Sequence, residues 1–214
     1  MLNPSGLSFQ ALLDGMEGIS YVVGSDGCIL ACGHRNWSRF ASENGGDRIA
    51  DPGAVVGRPL LDFIEGDEVA SVHRGYMSRL LAGSIDAVTF EFRCDAPDVR
   101  RDLWMSIRPL GLASGAAALL YQSIVLDELS RPPMNLFDFE ALRARTSERS
   151  AKPIVRLCAY CAKTAVPSSA DEDPIWMAPE EYYRNGGASD VRISHGICAD
   201  CHRRHVAPFL ADDP

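Results

Sequence analysis

The sequence lacks the features of a membrane or exported protein, and it lacks an excess of positive charge. No stretch approaches the ~18 consecutive apolar residues of a bilayer-spanning helix. The first residues, MLNPSGLSFQ, carry neither the basic start nor the apolar core of a signal peptide. Lys and Arg total 21 against 29 acidic residues, a net charge of −8. We therefore expect a cytoplasmic protein without membrane contacts, and an extended nucleic-acid interface is disfavoured.

Recognisable catalytic motifs are also missing. The sequence contains no nucleophile elbow, no phosphate-binding loop and no paired-carboxylate motif, so we expect no enzymatic activity. What is present is a globular composition, with 46% hydrophobic and 23% charged residues in a chain of 214. Seven cysteines in a chain without an export signal indicate metal ligands or buried thiols rather than a disulfide framework.

The hydrophobic pattern divides the chain into a first region (1–127), a linker (128–152) and a C-terminal module (153–214). Arg131-Pro132-Pro133 stops regular structure, and Leu136, Phe139 and Leu142 then predict a short helix in the linker. In the first region, period-2 runs and helical spacing predict an α+β fold in which crossover helices interrupt a five-stranded antiparallel sheet. The predicted helices span 7–16, 36–43 and 67–81, with a further helical stretch near 60–64; the predicted strands span 19–23, 28–32, 87–94, 102–109 and 117–126.

Three short stretches in this order carry a family resemblance. They are Ile19-Ser20-Tyr21-Val22-Val23-Gly24-Ser25-Asp26-Gly27, then Asn36-Trp37, then Val56-Gly57-Arg58-Pro59-Leu60-Leu61-Asp62-Phe63-Ile64, which matches Gly-x-x-Leu-x-Asp-x-Ile. Over about residues 9–127 the chain resembles the PAS sensor family. The resemblance implies a ligand pocket between the sheet and the crossover helices. It also implies a homodimer, for which the helix at residues 7–16 is the expected contact.

Three interpretations of the pocket follow. The cysteine motif of flavin photosensors is absent, since the matching stretch is Arg39-Phe40-Ala41-Ser42-Glu43. His73 lies on a helix similar to the one that carries the proximal histidine of haem-binding PAS sensors, and it is either a haem ligand or a boundary residue. The third interpretation is an apolar pocket or a packed core, to which four residues contribute: Phe90, Phe92, Trp104 and Met105. Cys28 and Cys32 are expected on one face of a strand, either as a redox pair or, more simply, as buried thiols.

The strongest chemical signal is a pair of C-x2-C motifs, Cys158/Cys161 and Cys198/Cys201, separated by 36 residues. Two such knuckles supply four sulfurs to one tetrahedral ion, the pattern of a structural Zn²⁺ site. Iron held by four thiolates uses similar knuckles, so zinc and iron both stay open, with zinc preferred. A segment of about 60 residues with few large apolar groups also needs a bound metal ion to stabilise its fold.

Further patterns in the C-terminal module predict a zinc-stabilised fold of the treble-clef or ribbon type. Residues 179–185 are expected to form a helix, and the second cysteine pair is expected to open another. His195 is expected beside the ligands rather than among them, and His202 is expected there too, as a spare ligand if one cysteine is not used. Cys198 to His202 also matches the c-type haem signature, but covalent haem attachment requires export.

Residues 155–206 also resemble a small module found after sensor and receiver domains in bacterial signalling proteins. The stretch departs from that pattern at Ala162 and at residues 167–173. Together the two resemblances predict a signalling protein in which a PAS sensor controls a zinc-stabilised module that contacts protein partners. A change in the PAS core would shift the linker helix and reorient the module. The alternatives are a DNA-binding regulator that uses Arg203 and Arg204, and a haem-based gas or redox sensor.

Overall fold

The computed structural model describes residues 8–138, 152–166 and 174–210. Contacts divide the chain into two compact units that alternate along the sequence. The first unit comprises Met1–Phe63, Tyr76–Phe90 and Trp104–Val125, and the second comprises Ile64–Gly75, Glu91–Leu103 and Leu126–Pro214. The boundaries expected from the sequence, at 127 and 152, stay a prediction. In the described part of the chain, no helix is both long and apolar enough to cross a membrane.

Five strands form the larger sheet. They are β1 (Ile19–Gly24), β2 (Ile29–Cys32), β3 (Val88–Arg93), β4 (Val99–Gly111) and β5 (Ala117–Ser130), in the order β2-β1-β5-β4-β3. Strand β1 is rich in β-branched and aromatic residues and pairs antiparallel with both β2 and β5. This sheet confirms the predicted α+β class. Strand β5 extends past its predicted end at residue 126 and stops directly before Arg131-Pro132-Pro133, because proline has no N–H to donate.

Helices precede the sheet and cross between its strands. They are α1 (Phe9–Gly15), α2 (His34–Glu43) and α3 (Asp67–Leu81), and three 3₁₀ turns lie between α2 and α3: Asp47–Ile49, Pro52–Ala54 and Leu60–Phe63. The crossover between β2 and β3 is therefore confirmed. The Ser8 hydroxyl caps α1 by accepting the Ala11 N–H. Acidic residues Asp67 and Glu68 occupy the first turn of α3, where the helix dipole favours negative charge.

The first unit has apolar residues on both sides of β1. Leu13 of α1 packs with Val22 and Ala118. Tyr21 precedes Val22 and therefore points to the opposite side. Its ring stacks on Tyr121 at 4.9 Å. Burial raises the pKa values of Tyr21 and Tyr121 well above that of a free tyrosine, so both phenols stay neutral.

A β-bulge changes the expected placement of two cysteines. In the β1–β2 pairing, Val22 faces Ala31 but Val23 faces Ile29, so Leu30 is an extra residue on β2. Each bulge of this kind reverses the alternation of side chains. Ile29 and Cys32, both buried, therefore share a face, and Cys28 points the other way. The prediction that Cys28 and Cys32 share one face is wrong for this reason.

The second unit contains a four-stranded sheet. Its strands are β6 (Ile154–Cys158), β7 (Thr164–Val166), β8 (Ile175–Met177) and β9 (Arg192–Gly196), in the order β8-β7-β6-β9. Strands β6 and β7 form an antiparallel hairpin, whereas β9 runs parallel to β6. Helix α4 (Pro179–Arg184) lies where the sequence predicts it. After β9 come α5 (Ala199–Cys201), a π-helical turn (His202–Val206) and α6 (Ala207–Leu210).

The core of the second unit combines residues of the predicted linker with residues of the C-terminal module. Leu136 and Phe137, on a 3₁₀ turn (Asn135–Phe137), pack with Leu157 and Tyr182. The Tyr183 hydroxyl accepts the Leu136 N–H at 3.1 Å. The remainder of the predicted linker helix, including Phe139 and Leu142, lies outside the described residues.

Candidate metal centre

The first cysteine pair lies on the turn between β6 and β7. Cys158 is the last residue of β6, and its N–H donates to the Lys163 carbonyl at 2.8 Å. The Ala162 N–H donates back to the Cys158 carbonyl at 2.9 Å, which closes the turn. Ala162 adopts a φ of +57°, a left-handed conformation that favours glycine. Ala162, where the sequence departs from the pattern of the small bacterial signalling module, is the one non-glycine residue with positive φ in the described chain.

The second pair lies at the start of α5, as predicted. Cys198 is the N-cap, and its sulfur accepts the Cys201 N–H at 3.5 Å. The parallel pairing of β9 with β6 places Gly196 opposite Cys158. The chain leaving β9 therefore passes beside the first pair, and the Cys198 N–H donates to the Cys158 sulfur at 3.4 Å. The two cysteine pairs therefore lie on a hairpin turn and at a helix start, the two positions that the sequence predicts.

The four sulfurs have the separations that a tetrahedral ion requires. All four lie within 4.8 Å of one another, and those of Cys161 and Cys198 are 3.8 Å apart. Metal–sulfur bonds of ~2.3 Å at tetrahedral angles place sulfurs about 3.8 Å apart. Cys158, Cys198 and Cys201 are buried, whereas Cys161 is half-buried. The donor set and its geometry therefore fit a thiophilic divalent ion.

The sulfurs also perturb one another's protonation. Hydrogen bonds from the Cys161 and Cys201 side chains lower the pKa of Cys158 far below its usual value. The same interactions with Cys158 raise the pKa of Cys161 to about 12 and that of Cys201 still further. A bound cation stabilises thiolates at all four positions, which is why metal binding releases protons.

The two histidines predicted near the ligands have different surroundings. Among the described residues, the metal-ligand group consists of the four cysteines without His195 or His202. His195 is largely buried on β9, and its Nδ1 lies 3.4 Å from a carboxylate oxygen of Glu65. His202 is exposed at the start of the π-helical turn. It borders an open groove of about 410 Å³ within the second unit, lined also by Glu68, Ser71, Val72, Val206, Ala207 and Leu210.

Residues outside the C-terminal module also contact the cysteine segments. A carboxylate oxygen of Glu68, on α3, accepts the Ile197 N–H at 3.2 Å and lies 3.2 Å from Arg156. The Arg93 N–H, on β3, donates to the Tyr160 carbonyl at 2.7 Å, and its guanidinium donates to the Cys161 carbonyl at 3.4 Å. Sequence reasoning missed these contacts because no local pattern reports partners so far apart in the sequence.

A buried carboxylate holds Arg93 in place. The Asp95 side chain is fully buried and pairs with Arg93 and with Arg131, the latter at 2.7 Å. It also accepts the Arg101 N–H at 3.3 Å. Arg131 donates in addition to the Ala96 carbonyl at 3.0 Å, and its guanidinium lies over the Phe137 ring. The network thus joins the β3–β4 turn to the segment that follows β5.

The residues predicted to form a site in the region that resembles PAS differ in burial. Burial lowers the pKa of His73 to about 4, so its imidazole is neutral at physiological pH. Phe90 and Met105 are buried, while Phe92 and Trp104 are half-buried. Trp104 and Met105 are consecutive on β4 and therefore point to opposite faces, so one pocket on one face of the sheet does not take both. Haem ligation by His73 stays a prediction, as does the pocket.

Comparisons with known proteins give partial matches. No protein-family model matches the chain. A stretch covering 54% of the chain is 33% identical over 122 residues to a Rhodobacter capsulatus protein described as an uncharacterized 104.1 kDa protein in the hypE 3′ region. The chain spans only 12% of that protein's length.

The similar solved structures include a PAS domain and a domain of an HTR-like protein. The PAS domain of Bordetella pertussis BvgS is 16% identical, with a TM-score of 0.42, and covers 64% of this chain and 91% of its own length. A domain of an HTR-like protein from Haloarcula marismortui is 20% identical, with a TM-score of 0.34, and covers 51% and 97%. With these TM-scores, the backbone of each structure superposes on that of this chain only in part. The fold assignment therefore rests on the strand order of the sheet itself.

Proposed function

We propose that this chain is a signalling protein in which a PAS-type sensor domain is joined to a zinc-stabilised module that contacts protein partners. The observation that carries the proposal is the four-cysteine cluster, whose sulfurs lie within 4.8 Å of one another on a hairpin turn and a helix start. Four thiolates complete the coordination of zinc, so the ion has no open position for a substrate. The metal therefore acts by holding the module together.

The role of the PAS region in this proposal rests on its sheet and crossover helices together with the sequence stretches that resemble the family. Such a sensor responds to a ligand or redox change by shifting between two conformations. The expected homodimer contact at residues 7–16 is supported by α1, on which Phe9 and Leu12 are 45% and 51% exposed. Apolar side chains exposed to this extent on one short helix favour contact with another protein surface.

Protein contacts are a better-supported output than DNA binding. The alternative of a DNA-binding regulator relied on Arg203 and Arg204. Arg203 donates to the Asp200 carboxylate at 2.6 Å, which offsets its charge. Four thiolates with one divalent ion add a further net charge of about −2 to an acidic chain. DNA binding through counterion release needs several basic contacts, and this surface offers few.

Elemental analysis and a visible spectrum of one purified sample test the proposal. We expect about one zinc per chain and no visible absorption, because Zn²⁺ has a filled d shell. Cys161→Ser is expected to lose most of the zinc, whereas Cys28→Ser, which changes a cysteine outside the cluster, retains it. Equal zinc content in the two variants would contradict the assigned ligands. Iron absorption that disappears in Cys161→Ser would replace zinc by iron. A Soret band that disappears in His73→Ala would favour the haem sensor instead.

A further inference from the structure

Helix α3 reaches the peptide that leads into the second cysteine pair. The Glu68 carboxylate, in the first turn of α3, accepts the N–H of Ile197, the residue before Cys198. The next N–H along the chain, that of Cys198, donates to the sulfur of Cys158. Two consecutive amides are therefore fixed, one by a carboxylate outside the cluster and one by a ligand sulfur. Together they set the direction in which the chain enters the cysteine knuckle.

The approach of α3 to this segment is close and specific. Gly66 precedes the helix with a φ of +95°, and a Cβ at this position would lie 2.6 Å from the His195 carbonyl oxygen. A glycine is thus required where the start of α3 meets β9. The Glu68 carboxylate is also paired with Arg156 of β6 at 3.2 Å. Glu68 consequently contacts β6, whose last residue is Cys158, and Ile197, which follows β9 and precedes Cys198.

We propose that Glu68 is a positioning residue for the metal site, which it supports by fixing the Ile197 peptide ahead of Cys198. The inference rests on the proposed metal-binding function. A segment already held in its bound conformation loses less conformational entropy when the ion binds, so its affinity is higher. Partners that orient metal ligands from outside the coordination sphere typically contribute about 10–100-fold in affinity. Glu68 is 39% exposed, so we expect the lower end of that range.

The test is a zinc-affinity measurement on the full chain by competition with a chromophoric chelator. We expect Glu68→Ala to weaken binding about tenfold. Glu68→Gln retains an oxygen that accepts the Ile197 N–H, so its loss should be limited to about threefold, since hydrogen bonds to neutral acceptors are weaker than those to charged ones. Asp67→Ala is the matched control, because it removes the neighbouring acidic residue of the same helical turn. Its affinity should equal that of the unsubstituted chain.

Two further readouts separate positioning from a general loss of structure. With Co²⁺ as the probe, the absorption bands of Glu68→Ala should keep their positions, because the four sulfur donors are unchanged. Amide exchange at Ile197 should accelerate in metal-free Glu68→Ala and stay unchanged in Asp67→Ala. If the unsubstituted chain binds one zinc and Glu68→Ala binds it equally tightly, the inference is overturned and the metal function stands. If the unsubstituted chain binds no zinc, the proposed function fails and the inference fails with it.

Discussion

Replacement of Asp95 by asparagine should destabilise the protein far more than the same change at a neighbouring exposed aspartate. The Asp95 side chain is fully buried, and its partners Arg93 and Arg131 are 12% and 9% exposed. Asparagine preserves the shape but removes the charge, and it places an amide donor against guanidinium donors. Removal of one partner from a buried ion pair costs about 3–5 kcal/mol, because the remaining charges are left uncompensated.

Asp102 provides a matched control on the same hairpin. Like Asp95 it pairs with the arginine two residues before it, Arg100, at 2.9 Å. Here the side chains are 45% and 30% exposed, so water screens the pair and its loss costs at most about 1 kcal/mol.

Urea unfolding monitored by circular dichroism, with zinc in excess for every variant, gives the comparison. With a slope of about 1–3 kcal/mol per molar urea, Asp95→Asn should lower the midpoint by more than about 1 M. Asp102→Asn should shift it by a small fraction of that. Equal midpoints for the two variants would refute the idea that this buried network stabilises the fold.

Two further predictions concern His73 and Ala162. The pKa of His73 is about 4 in the folded chain, whereas an exposed histidine has a pKa of about 6.5. Between these pH values the unfolded chain binds one more proton than the folded chain, so the free energy of unfolding falls as pH falls. The loss from pH 7 to pH 5 should be about 2 kcal/mol in metal-free protein and should be absent from His73→Gln in parallel denaturant titrations. Ala162→Val places a β-branched residue at a buried, left-handed position and should cost about 2–3 kcal/mol in the same assay. Ala162→Gly should stay within about 1 kcal/mol of the unsubstituted chain, since relief of the backbone offsets loss of a buried methyl; a comparable loss in both variants would contradict this explanation.

Much of the local structure could be predicted from spacing. The bounds of α3 agree with the prediction because Val69, Val72 and Leu80 recur at helical intervals and an acidic first turn marks the start. The cysteine cluster could also be predicted, since two C-x2-C knuckles have few uses other than a shared ion. In both cases the pattern that supports the prediction lies within short local segments of the sequence.

Features that depend on distant partners or on one extra residue could not be predicted. Nothing in the composition of β2 indicates that Leu30 is bulged, yet that residue reverses the faces of its neighbours. The predicted end of β5 was too early because its last residues are exposed and polar, a pattern that sequence analysis assigns to a loop. Asp95 and Arg131 are 36 residues apart, and their pairing follows only from the folded chain.

The alternation of the two units along the sequence limits how a gene fusion can transfer them. No single break in the sequence separates them, because Ile64–Gly75 and Glu91–Leu103 belong with the cysteine segments although they lie inside the region that resembles PAS. A gene fusion that transferred only residues 153–214 would carry all four cysteines but leave Glu68 and Arg93 behind. A chain cut after residue 127 would keep Asp95 and lose Arg131. Recombination that preserves these contacts must therefore transfer the region that resembles PAS and the C-terminal module together.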